Sequence, residues 1–175
     1  MSPEPGGALG GVGGTALGAL EASGLGQAMR QWLWLYPTVE TIHIVGIGLL
    51  FGSIAVLDLR LLGFSRSFPV KKLASHVLPW TLGSFLLIIP SGFLMFTAHA
   101  TEFIDSEVFL LKMGLILAGG VNAGIFHTTE FRSADVWDSE EMRKLPPPPS
   151  VRAFAAISLL LWISVIACGR LLAYF

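Results

Sequence analysis

The chain has a single cysteine, Cys168. That excludes an intramolecular disulfide framework and any thiolate metal cluster built by one chain, and no Cys-x-x-Cys-His run exists for covalent haem attachment. Charge is scarce as well, at 13% of residues, where a soluble domain carries about a quarter. The formal net charge is −1 and no basic face can be traced, which excludes nucleic acid as a partner. No serine–histidine–acid or phosphate-loop pattern occurs, so hydrolase and nucleotide chemistry find no support. The first residues have neither a basic start nor a compact apolar core, so no signal peptide is expected there.

What the chain has instead is apolar sequence: 53% hydrophobic residues and a mean hydropathy of +0.70. A membrane helix needs about 20 consecutive apolar residues, and four runs qualify, at 37–62, 73–100, 109–129 and 151–173. Pro79 and Pro90 inside the second predict kinks. The expected fold is all-α: a transmembrane four-helix bundle over 27–175, preceded by a flexible glycine-rich tail over 1–26. A short helix between Leu20 and Tyr36, closing on Trp32, Trp34 and Tyr36, is expected to lie in the membrane–water interface, where such aromatics concentrate. The segment TEFRSADVWDSEEMRKLPPPP reads as a polar loop whose prolines stop any helix. Two small-xxx-small motifs, Gly48/Gly52 and Gly120/Gly124, predict close helix packing.

Basic residues set the expected orientation. Arg60, Arg66, Lys71 and Lys72 flank the first connection, and Arg132, Arg143, Lys144 and Arg152 the third; the second holds only acids, Glu102, Asp105 and Glu107. The positive-inside rule puts both basic loops in the cytoplasm and both termini outside, in a bacterial inner membrane.

Ionisable residues within spans are costly and mark functional sites by default. Under this orientation His43 and His99 fall toward the outer face and His76 and His127 toward the inner, each pair on different helices. Paired histidines of that kind could hold one or two b-type haems, whose double imidazole ligation favours electron transfer. Gly46 and Gly124 share helix faces with His43 and His127 and would leave room for the ring. Arg60 and its basic neighbours could pair with propionates. Against two closely coupled haems, the helix from His76 to His99 is about 35 Å long at 1.5 Å per residue. The same residues also suit copper or zinc, with Glu40 and Met95 as further donors. Asp58 and Arg60, two positions apart, do not face each other on a helix and should each find a partner elsewhere. Asn122, mid-span, should hydrogen-bond a neighbouring helix.

The pieces IHIVGIGLLFGSIAVLDLRLLG and SLLLWISVIACGRLLAYF resemble a family of small, uncharacterised bacterial inner-membrane proteins with four spans, from Trp32 onward. More loosely, the pattern is similar to the di-haem b-type cytochromes and to the membrane domain of copper-resistance D proteins. It departs from the former in having no histidine on its fourth span. The resulting expectation is a cytochrome b-like electron carrier, not necessarily an enzyme, with membrane lipid and a redox protein as partners. The alternative is a copper-handling or small-solute membrane transporter, or a non-catalytic subunit. Homo-oligomerisation or membership of a larger membrane complex fits either reading.

Overall fold

The computed structural model describes residues 10–172, with side-chain surroundings from residue 16. The first nine residues of the expected tail and Ala173, the expected end of the last span, lie outside the described residues. Among the described residues there are helices and no strand. Four helices are long and apolar enough to cross a membrane: α3 (Leu35–Leu62), α4 (Val70–Ala98), α6 (Glu107–Thr128) and α8 (Pro149–Leu171). Between and before them lie α1 (Gly10–Glu21), α2 (Gly24–Gln31), α5 (Ala100–Asp105) and α7 (Ala134–Trp137).

The burial pattern is that of a protein dissolved in lipid. Leu86 (77% exposed), Leu117 (70%) and Leu160 (66%) point outward, while Asp58, Ser84, Ser91, Thr97 and Ser158 point inward. In hydrocarbon the backbone must satisfy itself within each helix, and polar side chains gain most by facing one another. α3 packs along α4, α6 along α8, and α3 against α8, so two helix pairs join through α3 and α8. α4 runs unbroken through Pro79 and Pro90.

Two ends of the bundle are built differently. At the first, the glycine-rich stretch expected to be a loose tail as far as Gly26 is already helical from Gly10. Specific contacts hold it there. Ser23 caps α2 by accepting from the Gly26 N–H at 3.2 Å, and Arg30 donates to the Ala98 carbonyl at 2.9 Å, covering a carbonyl that the end of α4 leaves open. Glu21 accepts from the N–H and hydroxyl of Thr101, both at 2.7 Å. Met29, Val39 and Ala98 form the small core beneath. Trp32 and Trp34 are exposed beside this end.

At the other end both basic connections meet. Gly63, with φ of 109°, turns the chain out of α3 in the left-handed conformation that glycine tolerates. The segment expected to be a polar loop is folded: 3₁₀ turns at Phe131–Ser133 and Met142–Lys144 flank α7. The prolines do end this structure, and Pro149 opens α8, where its fixed φ suits a first turn. Arg60 Nη2 donates to Asp138 Oδ1 at 2.6 Å, Arg60 Nε to the Phe68 carbonyl at 2.7 Å, and the Val70 N–H to Asp138 Oδ2 at 2.6 Å. Lys71 pairs with Asp135 at the surface. Leu57, Leu61, Val70, Ala74, Phe126, Val151 and Ala155 form the main core just inside this end.

Candidate functional site

Above that core the four long helices line a cavity of about 370 Å³. α3 contributes Leu50 to Leu61 on its inner face, α4 Val77 to Phe85, α6 Gly119 to His127, and α8 Phe154, Ala155, Ser158 and Trp162. Its walls are mainly apolar. Asn122 also lines it but is occupied, donating to the Phe154 carbonyl of α8 at 3.2 Å and tying α6 to α8 as its position predicts. Ser53 and Thr81 meet at 2.8 Å and tie α3 to α4.

Two polar atoms of lining residues are buried and unpartnered: Asp58 Oδ2 and His127 Nε2. Asp58 is 6% exposed, with Ser158 of α8 beside its carboxyl group. It is positioned by α3, whose next turn is anchored through Arg60. His127 closes the last turn of α6, and its Nδ1 lies 2.9 Å from the Ala123 carbonyl. A carbonyl only accepts, so Nδ1 carries the proton, and in a neutral ring Nε2 is then the lone pair. Phe126 and Phe131 pack around the ring. A buried carboxyl oxygen and a buried imidazole nitrogen without partners are expensive to maintain, and the residues that carry them both line one cavity.

The other histidines stand apart. His43 is half-buried between α3 and α4, its Nδ1 2.8 Å from Ser91 Oγ. Ser91 donates its own proton to the Leu87 carbonyl, so His43 Nδ1 is the donor and Nε2 its lone pair. The ring lies against Gly92, where an added Cβ would sit 3.0 Å from His43 Cε1. His99 terminates α4 about 12 Å further along it, ringed edge-on by Tyr36 and Phe103. His76 is exposed, with Nδ1 2.7 Å from the Lys72 carbonyl. Of the four, His127 alone lines the central cavity. Among the described residues no group of three or more His, Cys, Asp or Glu is placed to hold a metal ion.

The supporting residues also have definite places. Arg60 is buried and committed to Asp138 and backbone carbonyls rather than free to meet a propionate. The space beside Gly46 is filled by Leu87 and Ile88, whose atoms lie 3.1 and 2.8 Å from where a Cβ would be. Gly124 faces open space, as do Gly48, Gly52 and Gly120. Within the four long helices the close-packing glycines are therefore Gly46 and Gly92 between α3 and α4, and Gly119 under Trp162, not the two small-xxx-small motifs. Glu40 is exposed and Met95 packs on the Met29 core. Asp138, which sequence reasoning passed over, carries no local signal of its burial; its partner Arg60, an arginine inside an apolar run, was the signal available.

The fold and cavity define an all-α bundle of four potential membrane spans around a polar-tipped interior. The chain belongs to the family described as Family of unknown function (DUF6644), whose model matches residues 18–175. No curated protein and no solved structure matches it.

Proposed function

We propose that this chain is a multi-pass membrane protein that binds a small solute in the central cavity and carries it between the two faces of the bundle. The observation behind this is the pair of buried, unpartnered acceptors, Asp58 Oδ2 and His127 Nε2, on separate helices in one cavity. A mainly apolar chamber with a few convergent polar groups is the usual form of a small-molecule site, and intramembrane ionisable residues commonly lie on solute or proton pathways. The positive-inside rule orients the site toward the cytoplasmic half of a bacterial inner membrane, with Arg60, Lys71, Lys72 and the α6–α8 loop inside. The test is solute-dependent thermal stabilisation of the purified protein, with solute flux in proteoliposomes, comparing wild type with Ala123→Phe, which fills the cavity. Stabilisation and flux present in wild type and lost in Ala123→Phe support the reading. A panel spanning cations, anions and neutral solutes that moves neither protein overturns it.

A second reading is the haem-binding electron carrier, and His43 favours it. Its Nδ1–H is held by Ser91, the arrangement by which a ligating histidine is usually oriented, with Nε2 free for iron. A dithionite-reduced minus air-oxidised spectrum with pyridine-haemochrome quantitation decides it. A b-type α-band lost in His43→Ala supports haem there; a colourless protein made with ample haem excludes it. Copper in place of haem would appear in elemental analysis of the same preparation.

A further inference from the structure

We infer that the solute is a lipophilic organic cation carrying N–H donors, a primary or secondary ammonium held between Asp58 and His127; this rests on the cavity being a solute site. Both unpartnered atoms belong to groups that accept: a carboxyl oxygen, and, in a neutral ring, an imidazole nitrogen whose neighbour carries the proton engaged at Ala123. No ion pair or hydrogen bond joins them to each other or to another described residue at those atoms. A ligand that completes the site must therefore bring donors, and at least two of them.

Charge points the same way. No lysine or arginine lines the cavity, and the nearest in sequence, Arg60, is turned away to Asp138. An ionised carboxylate in such surroundings requires a proton or a cation for compensation. The walls select the rest of the molecule. Phe85, Phe126 and Trp162 line the same space and suit an apolar body, and aromatic faces attract a cation that comes within about 6 Å. An ammonium group satisfies both acceptors in charge-assisted bonds while its hydrocarbon part occupies the apolar chamber.

The test uses the full-length protein in detergent and three probes of similar size: benzylammonium, benzyl alcohol and benzyltrimethylammonium. Affinities come from titration calorimetry, and Trp162→Phe reports whether fluorescence changes arise in the cavity. Benzylammonium is expected to bind at least about tenfold more tightly than benzyl alcohol, roughly the worth of one charge-assisted bond. Asp58→Asn should erase that margin by weakening benzylammonium far more than benzyl alcohol. His127→Gln should reduce benzylammonium binding more than that of benzyltrimethylammonium, which has no N–H. If Asp58→Asn fails to fold, Ser158→Ala and His127→Gln carry the comparison. Equal binding of benzylammonium and benzyl alcohol, both lost in Ala123→Phe, overturns the cation assignment and leaves the cavity a solute site. Binding of none of the three overturns the cation assignment, and the wider panel then decides the site itself.

Discussion

Arg60 Nη2 and Asp138 Oδ1 meet at 2.6 Å with both side chains buried, joining the last turn of α3 to the loop before α8. The pair is more than a charge contact, because Asp138 also accepts the Val70 N–H that begins α4, and Arg60 also holds the Phe68 carbonyl. One buried pair thus gathers the ends of α3, α4 and α7 beneath the cavity. Removing one partner of a buried pair leaves the other uncompensated, at about 3–5 kcal/mol. Arg60→Met and Asp138→Ala should each destabilise by that amount in denaturant unfolding of the micelle-embedded protein. Arg60→Lys should rescue poorly, since an ammonium cannot reproduce bonds from both Nε and Nη2. A change in either variant no larger than that of the exposed pair Lys71–Asp135 would sink the idea.

The glycines of α3, α4 and α6 divide by what surrounds them. An added Cβ at Gly46 would come within 2.8 Å of Ile88 Cγ1, and at Gly92 within 3.0 Å of His43 Cε1, whereas Gly48, Gly52, Gly120 and Gly124 meet nothing within 4 Å. Gly46→Ala should cost about 1–3 kcal/mol through overpacking. Gly92→Ala should displace the His43 ring as well. Alanine at the four open positions should stay within about 0.5 kcal/mol. Unfolding midpoints of the six variants check this; a large loss at Gly48 or Gly52 in the monomer would show the packing to be misassigned.

Much of this fold is legible from hydropathy alone, because a helix that must cross hydrocarbon announces itself by length. The four spans, the folding together of the two basic connections at one end, and the interhelical role of Asn122 all follow from residue type and order. Helix rotation does not. All four spans are apolar nearly all round, so no amphipathic stripe says which face turns inward. This is why His127 could be paired on paper with His76, though the fold turns His127 into the cavity with Asp58 and leaves His76 exposed. Gly46 and Gly48 are likewise indistinguishable until rotation is known. The Arg60–Asp138 pair was half visible: a buried arginine demands a partner, but which acid depends on how the α6–α8 loop folds. α2 falls within the helix expected between Leu20 and Tyr36, but glycine content hid α1, whose order depends on Glu21 and Arg30 reaching Thr101 and Ala98 rather than on local propensity.

The N-terminal helices should release in acid. Hydrogen bonds from the Thr101 N–H and then its hydroxyl, with a further contribution from Arg30, hold Glu21 below its ordinary value of 4.5. A carboxyl group whose folded value is depressed adds stability that is full above the ordinary value and is lost as pH falls through the lowered one. Docking of α1 on α5 should therefore be insensitive to pH around neutrality and weaken below 4.5. Hydrogen exchange over residues 16–31, compared between pH 7 and pH 3, measures this. Glu21→Gln should exchange faster at neutral pH and lose the acid-induced increase; an unchanged acid response in that variant would assign the effect to another group.

Asp58 supplies the sharpest separation of stability from function. In the ligand-free protein its Oδ2 is buried without a partner, and an unsatisfied buried polar group costs about 1–3 kcal/mol. An apolar residue there should relieve that cost, so Asp58→Leu is expected to raise ligand-free stability by about 1–2 kcal/mol while abolishing benzylammonium binding. A structural residue behaves in the opposite way: Asp138, also a buried aspartate, should lose stability on the same kind of substitution because both of its oxygens are bonded. Parallel unfolding curves of Asp58→Leu and Asp138→Leu in one detergent make the comparison direct. Opposite signs would mark Asp58 as a residue kept for what it binds. A loss at Asp58 as large as that at Asp138 would mean that its carboxyl group supports the bundle, and the case for a solute beside it would fall.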